Sequence, residues 1–437
     1  MIRINQIKLP ADCEDEERAL QKKAARLLRM EQSAILSLSL VRKSIDARKK
    51  PDIYMVYTVD VKVADEQRVM KKSGLKNGQI QLVAEKKYGF PSVELISSKN
   101  RPVVVGTGPA GLFCGYMLAK AGMRPVLLER GREVHKRLAD VERFWKEGEL
   151  DPASNVQFGE GGAGTFSDGK LTTTVKDPEG RMGEVLRIFV EAGAPREILY
   201  DARPHLGTDI LTDVVVNLRK KIEDFGGEVR FASQVTKLLV EKDRITGVEV
   251  NGEPLMSNVV VLAIGHSARD TFQMLSDLSV PMEAKSFAVG LRMEHPREMI
   301  DRLQYGDSGM VLPAASYKVT AKTVSGRGVY SFCMCPGGYV VNASSEPGRT
   351  AVNGMSYSKR NGANSNSAMI VTVSPEDYGG TGALAGIAFQ RKLEERAWEI
   401  GRGAVPVERY GDFRSAVCGA DGGFDLPGGR LAMRCPD

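Results

Sequence analysis

The sequence of 437 residues is poor in long apolar runs, in cysteine and in histidine. Its longest apolar run, at residues 259–265, is far shorter than the roughly 20 residues of a membrane-spanning helix. The N-terminus alternates polar and apolar residues and has no signal-peptide core. Six cysteines are too few for a disulfide framework at this length. These absences argue against a membrane protein and a disulfide-rich secreted domain, and they predict a cytoplasmic protein.

The net charge of +6 is distributed unevenly along the chain. Residues 1–98 hold 19 Lys and Arg against 13 Asp and Glu, which accounts for all of it. A basic N-terminal part permits an acidic partner or nucleic acid, and an ordinary solvated surface is the alternative interpretation. Hydrophobic residues at 42% and charged residues at 27% are typical of a globular chain, here of about two or three domains.

The first 98 residues read as a small basic α+β domain. Apolar alternation and helical spacing predict strands at 2–9, 34–41 and 53–63, and helices at 15–30 and 64–72. Residues 42–50 read as a basic connector closed by Pro51.

A strand, a glycine turn, a helix and a second strand follow one another from residue 103. The pattern consists of strands 103–105 and 126–128, Gly106, Gly108, Gly111 and the closing Glu129. Gly106 permits the tight turn, Gly108 lets the backbone approach a pyrophosphate, and Gly111 lets the helix pack on the sheet. The helix N-terminus offers N–H groups to the pyrophosphate, and Glu129 is placed to accept hydrogen bonds from ribose hydroxyls. The complete unit predicts a dinucleotide site, and a glycine-rich turn without a ligand is the alternative.

The pattern after this unit continues the α/β texture. A helix is predicted at 211–225, a small β-meander at 229–233, 235–241 and 246–250, a buried strand at 259–263 and a helix at 383–400. From about residue 281, short strands and polar loops indicate a separate substrate-facing domain.

The surroundings of the glycine unit separate FAD from NAD(P). Gly106-Thr-Gly108-Pro109-Ala110-Gly111, followed by Glu129-Arg130-Gly131, resembles the first nucleotide motif of the glutathione-reductase-like FAD-binding superfamily. The strand at 259–265, with Ala263 and Gly265, is similar to the second motif. By this resemblance, Val235 lies where the backbone meets the adenine.

Further stretches are similar to one family within that superfamily. They are residues 46–50, 155–171, 265–270, 331–338 and 352–357. Together they resemble the bacterial family of uncharacterised FAD-dependent dehydrogenases of the NAD(FAD)-utilising type. The resemblance implies FAD, a two-domain flavoprotein core and a small N-terminal domain, but no substrate.

The expected fold is therefore α/β, with a Rossmann-like FAD-binding domain and a mixed β substrate domain after the small basic α+β domain. The expected limits are 1–98, 99–280 with a helical insertion around 177–226, and 281–437. The Gly-Asp segment that closes the flavin site in such proteins is expected to be absent. Residues 419–422 imitate it, but a Leu-Pro-Gly-Gly stretch follows instead of a helix.

The glycine-rich loop at 159–170 is the leading flavin-side segment. The backbone N–H groups around Gly161, Gly162 and Gly164 are predicted to lie near phosphate or the isoalloxazine ring, where such donors stabilise a reduced flavin. Asp168 and Lys170 are predicted to position ring or ribitol groups. A flexible surface loop is the alternative.

The catalytic residues are unknown from the sequence, and three side chains are candidates. Cys333 and Cys335 form a C-x-C pair that suits a redox-active thiol near flavin, although a buried structural role is the alternative. His266 follows the second motif and suits a proton donor or a phosphate-side anchor, with a capped helix start as the alternative. His205 and His295 read as structural or surface residues, and no spacing suggests a metal site.

The predicted function is that of an FAD-dependent oxidoreductase that relays hydride through flavin N5 and acts on a small-molecule substrate. NAD(P)H is one candidate electron donor, although no second complete GxGxxG unit is present. The alternative is a flavoprotein that acts as an RNA-associated or scaffold protein through its basic N-terminal domain. The residues that motivate this alternative are Arg42, Lys43, Arg48, Lys49 and Lys50. Interleaved aromatics are missing from this patch.

Overall fold

The computed structural model describes residues 1–73, 78–84, 86–91, 101–380 and 382–418. Within these ranges, 17 strands form parallel and antiparallel sheets, accompanied by ten α-helices and three short 3₁₀-helices. The mixed α/β class predicted from the sequence is confirmed. No helix in the described ranges is long and apolar enough to cross a membrane.

The N-terminal part is an antiparallel sheet of four strands, in the order β2-β3-β1-β4, with two helices. Its elements are β1 (Ile2–Pro10), α1 (Glu16–Leu28), β2 (Ser37–Lys49), β3 (Asp52–Lys62), α2 (Glu66–Ser73) and β4 (Ile80–Leu82). The Asp15 carboxylate caps α1 by accepting from the Arg18 N–H at 3.0 Å. Alternate residues of β1, Ile2 and Ile4 among them, are fully buried beneath Leu20 of α1.

The predicted basic connector at 42–50 is wrong, because these residues continue strand β2. Pairing with β3 runs to Lys49 opposite Asp52, so that only Lys50 and Pro51 are left to make the turn. Charged residues are compatible with this strand because much of β2 is exposed to solvent. The dense charge of residues 42–50 is typical of a loop, but their backbone pairs with β3 and forms a strand.

The edge of this sheet is paired with the body of the protein at Lys43. The Lys43 N–H donates to the Tyr200 carbonyl at 2.7 Å, and the Lys43 carbonyl accepts from the Ala202 N–H at 2.9 Å. The Lys43 ammonium also lies 2.9 Å from Glu16. The basic stretch is thus partly engaged within the chain. The predicted domain limit at residue 98 lies outside the described residues.

The middle of the chain forms a parallel sheet in the order β11-β5-β6-β7. Its strands, and the meander inserted between them, are β5 (Val103–Val105), β6 (Val126–Leu128), β7 (Glu228–Arg230), β8 (Val235–Glu241), β9 (Arg244–Val250), β10 (Glu253–Met256) and β11 (Val260–Leu262). The helices are α3 (Pro109–Lys120), α4 (Val134–Glu147), α5 (Arg181–Glu191), α6 (Gly207–Asp224) and α7 (Arg269–Asp277). This order places the strand-order reversal beside β5, where doubly wound sheets bind nucleotides.

The predicted β-meander is correct in part. Residues 229–233 were expected in it, but β7 pairs in parallel with β6 and completes the main sheet. The meander consists instead of β8, β9 and β10, which pair antiparallel. Periodicity identifies a short strand but not its partner, which accounts for the error.

The turn after β5 requires glycine at two positions. Gly106 has a φ of +101°, and a Cβ there would lie 2.5 Å from the Ala263 carbonyl oxygen. A Cβ at Gly111 would lie 1.9 Å from the Gly106 carbonyl oxygen. Both positions bring helix α3 against the ends of β5 and β11, as the glycine spacing predicted.

A second antiparallel sheet, in the order β12-β17-β14-β13, follows with a separate two-stranded ribbon. The strands are β12 (Phe287–Pro296), β13 (Thr320–Lys322), β14 (Gly328–Cys335), β15 (Tyr339–Asn342), β16 (Val352–Met355) and β17 (Asn364–Val373). The helices are α8 (Arg297–Tyr305), α9 (Ala385–Gly401) and α10 (Tyr410–Cys418). The imitation of the closing segment at 419–422 lies outside the described residues.

Partly buried polar contacts join this part to the parallel-sheet part. Arg269, at the start of α7, lies 2.6 Å from both Glu346 and Glu394. The Trp145 indole N–H donates to the Asn342 carbonyl at 2.9 Å. These contacts join α4 and α7 of the parallel-sheet part to the ribbon and to α9.

Substitution of Gly111 by alanine should destabilise the protein by about 3 kcal/mol or more, because the new methyl group meets a backbone carbonyl. Gly183→Ala is the matched control, since Gly183 is an exposed helical glycine with nothing within 4 Å of a Cβ. The control should gain about 0.5–1 kcal/mol from helix propensity. Urea unfolding of the two variants measures both effects, and equal midpoints would contradict the close approach at Gly111.

Candidate functional site

The N-terminus of α3 is exposed and uncapped. Gly108 is the N-cap residue in extended conformation, and no side chain of the described residues caps the helix. A Cβ at Gly108 would have only the Gly162 Cα, 3.9 Å away, within 4 Å. Pro109 and Ala110 in the first turn are exposed. Free N–H groups and the positive end of the helix dipole therefore face a space that suits a pyrophosphate.

The glycine-rich loop beside this helix is held by the buried side chain of Arg137. The guanidinium is fully buried and donates to the carbonyl oxygens of Asn155 at 2.8 Å and Val156 at 2.9 Å. It also donates to those of Glu160 at 2.7 Å and Gly162 at 2.9 Å. Burial lowers the pKa of Arg137 to about 10, against the opposing charges of nearby carboxylates, so the group remains a cation at neutral pH.

Glu160 supports the same loop from within. It is fully buried, and its carboxylate accepts from the Val134 N–H at 2.8 Å and from Arg219 Nε at 2.7 Å. Burial raises the pKa of Glu160, while those two donors oppose the rise. The carboxylate thereby joins the loop to the start of α4 through Val134 and to α6 through Arg219.

Glu129 accepts hydrogen bonds at every acceptor position of its carboxylate. One oxygen accepts from the N–H and the hydroxyl of Thr107, both at 2.8 Å. The other accepts from the N–H groups of Gly131 at 3.0 Å and Gly159 at 3.1 Å. A carboxylate offers about four acceptor positions, so a ribose hydroxyl would have to replace one of these donors. The predicted ribose contact stays a prediction.

The glycines of the loop lie against the start of α3, as their predicted role requires. The Gly161 N–H donates to the Thr107 carbonyl at 2.9 Å. A Cβ at Gly162 would lie 2.9 Å from the Gly108 Cα, and one at Gly164 would lie 3.7 Å from Pro109. The loop is packed and hydrogen-bonded, which does not fit the alternative of a flexible surface loop.

The remaining predicted nucleotide residues surround the carboxyl ends of the parallel strands. The Arg130 guanidinium lies over the Phe158 ring at 4.5 Å and pairs with Asp270 at 2.9 Å. The Ala263 N–H donates to the Val105 carbonyl at 2.8 Å, which continues the pairing of β11 with β5. Gly265, two residues later, is exposed and has a positive φ. Val235 is buried at the start of β8. Their contacts with a cofactor stay predictions.

Asp168 joins the loop to the second sheet. It is 1% exposed and accepts from the Ser356 hydroxyl at 2.6 Å, from Lys170 Nζ at 2.7 Å and from the Arg360 guanidinium. Burial favours the neutral acid, but the charges of Arg360 and Lys170 prevail and lower the pKa of Asp168. His205 lies beside this cluster, with a ring nitrogen 3.0 Å from the Ser358 carbonyl oxygen.

The C-x-C pair lies at a β-bulge in β14 rather than in a regular strand. Cys333 has a φ of +47°, and the buried Cys335 thiol donates to the Cys333 carbonyl at 3.3 Å. Arg292 Nη2 donates to the Cys333 carbonyl at 2.7 Å and to Cys335 Sγ at 3.4 Å. A hydrogen bond from the Cys335 thiol to the Cys333 sulfur, with the charges of Lys170 and Arg292, lowers the pKa of Cys333 against its burial. The same hydrogen bond, together with burial, raises the pKa of Cys335.

His266 is exposed and caps no helix. The N-cap of α7 is Ala268, without a side-chain hydrogen bond, and the Ser267 hydroxyl donates to Gln157. The alternative of a capped helix start is therefore wrong, and a chemical role for His266 stays a prediction.

Arg137, Glu160, Arg292 and Arg360 were not singled out in the sequence. A signal existed for Arg137, because it shares the buried face of α4 with Val134 and Val141 at helical spacing. A charged residue at a core position needs partners, and here they are backbone carbonyls. The other three have partners far away in the sequence.

Comparison with known proteins gives a close relative. An uncharacterised protein of Clostridium beijerinckii is 47% identical over 417 residues, covering 94% of this chain and 77% of that protein. The chain belongs to the same family. Residues 286–422 match a family described as FAD-dependent protein, C-terminal domain-like, and residues 1–62 match a domain of unknown function. The former match supports FAD as the cofactor.

Solved structures show only distant similarity. The chain is 18% identical to THI4 of Thermovibrio ammonificans, with a TM-score of 0.28 over 42% of this chain and 64% of that one. It is 11% identical to a glycine oxidase of Bacillus cereus, with a TM-score of 0.30 over 67% and 80%. It is also 11% identical to a Bacillus halodurans glycerol-3-phosphate dehydrogenase complexed with FAD, with a TM-score of 0.29 over 63% and 48%. The chain thus spans less than two thirds of the first and third of these structures.

Replacement of Arg137 by methionine should lower the free energy of unfolding by about 3 kcal/mol or more, because several buried carbonyl oxygens lose their donor. Lys136→Met is the matched control, since the neighbouring Lys136 is exposed, and its effect should stay within about 0.5 kcal/mol. Urea unfolding measures the difference. Limited proteolysis should also cut residues 155–166 of Arg137→Met faster, and an unchanged cleavage pattern would show that the guanidinium does not hold the loop.

Alkylation of Cys333 by iodoacetamide should continue at a lower pH than alkylation of a free cysteine, whose pKa is about 8.5. The reason is that the lowered pKa preserves the reactive thiolate until the pH falls through that value. Peptide mapping after timed alkylation at several pH values measures the Cys333 rate, with Cys333→Ser as the control for site assignment. A rate profile that coincides with that of free cysteine would contradict the hydrogen-bonded thiolate.

Proposed function

We propose that the chain is an FAD-dependent oxidoreductase that acts on a small-molecule substrate. The observation that carries the proposal is the uncapped N-terminus of α3, with open space at Gly108, beside the strand-order reversal of a parallel sheet. The match of residues 286–422 to an FAD-dependent protein family supports FAD rather than NAD(P). When bound, FAD would supply two-electron chemistry with N5 as the hydride relay.

The residues of the chain fit the pyrophosphate of such a cofactor. Gly108 and the first turn of α3 would bind it through backbone N–H groups. Arg137 donates hydrogen bonds to carbonyl oxygens of residues 155–162. These oxygens, which would repel an anion, therefore point toward the guanidinium. Gly162 allows the loop to approach Gly108 closely, because a Cβ there would collide with it. Loop and helix together would thus enclose the phosphates.

Gly108→Ala should fold like the wild type but bind FAD about tenfold or more weakly. The φ of −66° at Gly108 suits alanine, and its Cβ would meet no protein atom closer than 3.9 Å. The added methyl group would stand where the pyrophosphate approaches, and such overpacking costs about 1–3 kcal/mol. Titration of the flavin-free protein with FAD, followed by flavin fluorescence, measures the affinity, with Gly183→Ala as the control.

The absorption spectrum of the purified full chain tests the proposal as a whole. A bound flavin that is reduced anaerobically by NADH or NADPH would identify that donor, and a flavin reduced by neither would point to the substrate itself as the donor. A protein that is colourless and stays colourless with added FAD would overturn the proposed function. Equal FAD affinity of Gly108→Ala and wild type would overturn the position assigned to the pyrophosphate.

A further inference from the structure

Arg292 carries a positive charge for which the described residues provide no carboxylate within ion-pair distance. Its Nε donates to Asn366 Oδ1 at 2.7 Å, and its Nη2 donates to Cys333 O and Cys335 Sγ. All of these acceptors are neutral groups. The side chain is half-buried on β12, so solvent compensates the charge only in part. An arginine in this situation is complementary to an anionic ligand.

The neighbouring side-chain amide nitrogen of Asn366 lacks a hydrogen-bond partner among the described residues. Asn366 lies on β17 and is fully buried, and its Nδ2 has no hydrogen-bond partner in the part of the chain that the structure describes. The hydrogen bond that Arg292 donates to Oδ1 fixes the orientation of the amide, so the unpaired atom is the nitrogen donor. Buried N–H groups without an acceptor are rare in native proteins. A ligand oxygen could accept the hydrogen bond that this nitrogen is free to donate.

Gly354 makes room for both side chains. A Cβ on Gly354, in strand β16, would lie 2.0 Å from Arg292 Nη2 and 2.4 Å from Asn366 Oδ1. The two polar groups therefore rest against bare backbone of the small ribbon. This arrangement brings three separate strands together around two donors.

The charges around the pair favour an anion. The positive charges of Arg292 and Lys170 act on the Cys333 thiol, and Arg360 adds a third cation beside Asp168. Two negative charges oppose these three cations: the Asp168 carboxylate, which Arg360 and Lys170 engage, and the thiolate form of Cys333. The surroundings of Arg292 and Asn366 are therefore positive on balance.

We propose that Arg292 and Asn366 bind the carboxylate group of a small-molecule ligand, with the Cys333 thiol at the edge of the site. A carboxylate has two oxygens, so it can accept from the Asn366 amide nitrogen with one of them and from a remaining guanidinium N–H with the other. The inference deepens the proposed function. It rests on that function only in taking the ligand to be the substrate that the flavin oxidises or reduces. The binding site itself is testable without flavin chemistry.

The test uses Cys333 as a reporter in the full chain. Iodoacetate and iodoacetamide both alkylate a thiolate: the S–C bond forms, the C–I bond breaks and iodide leaves. Iodoacetate alone carries a carboxylate next to the reacting carbon. The ratio of its rate to that of iodoacetamide, measured by peptide mapping, should be about tenfold or more higher at Cys333 than at the half-buried Cys13, a factor that one charge-assisted hydrogen bond can provide.

Three variants separate the carboxylate site from general charge effects. Arg292→Gln should abolish the preference of Cys333 for iodoacetate. Asn366→Asp, which keeps the shape and still accepts from Arg292, should do the same by adding a negative charge. Arg302→Gln is the control, because Arg302 is a 76% exposed arginine on α8, and it should keep the wild-type ratio. Acetate should slow the alkylation by iodoacetamide in the wild type, whereas inorganic phosphate should protect less.

The inference is overturned if the ratio at Cys333 equals that at Cys13, or if Asn366→Asp keeps the preference. Failure of Cys333 to react with either reagent also overturns it, because the thiol is proposed to open on the site. Stronger protection by phosphate than by acetate would contradict a carboxylate ligand. A colourless protein with an intact iodoacetate preference would refute the flavin function and leave this site standing.

Discussion

The guanidinium of Arg137 determines the course of the glycine-rich loop, and the predicted nucleotide site depends on that loop. Its donors are satisfied by backbone carbonyl oxygens of residues 155–162, which lie in several directions around it. Among the described residues no carboxylate pairs with it directly, so the stabilisation comes from carbonyl dipoles and from Glu129 and Glu160 at longer range. Such a site is rigid, because any movement of the loop leaves a buried cation without acceptors.

The consequences of this anchor extend to both sides of the loop. At one end, the Gly159 N–H reaches Glu129 and the Gly161 N–H reaches Thr107, so the loop is joined to the turn after β5. At the other end, Asp168 engages Arg360 and Ser356 of the second part of the chain. The bulge that carries Cys333 lies close enough for Lys170 and Asp168 to influence its charge. One buried cation thus positions groups from both parts of the protein.

The sequence was most informative where function depends on neighbouring residues. Gly106, Gly108 and Gly111 act through the backbone of one turn, so their spacing alone predicts the local structure that is observed. Asp168 and Arg360 are 192 residues apart, and only the fold brings them together. The same holds for Arg292 and Asn366, which are adjacent through the pairing of β12 with β17. The connector at 42–50 was misjudged because charge and strand pairing are independent where one face is solvated.

Glu129 shows how the predicted and observed roles of one residue are related. Three of its four donors are backbone N–H groups, and these are fixed by the turn and by the loop that Arg137 holds. The fourth is the Thr107 hydroxyl, which can rotate about one side-chain bond. A ribose hydroxyl at Glu129 therefore requires Thr107 Oγ1 to turn away, because exchange of any backbone donor would displace the loop. The carboxylate serves first to join turn and loop, and a ribose contact is compatible with that role only through this single side chain.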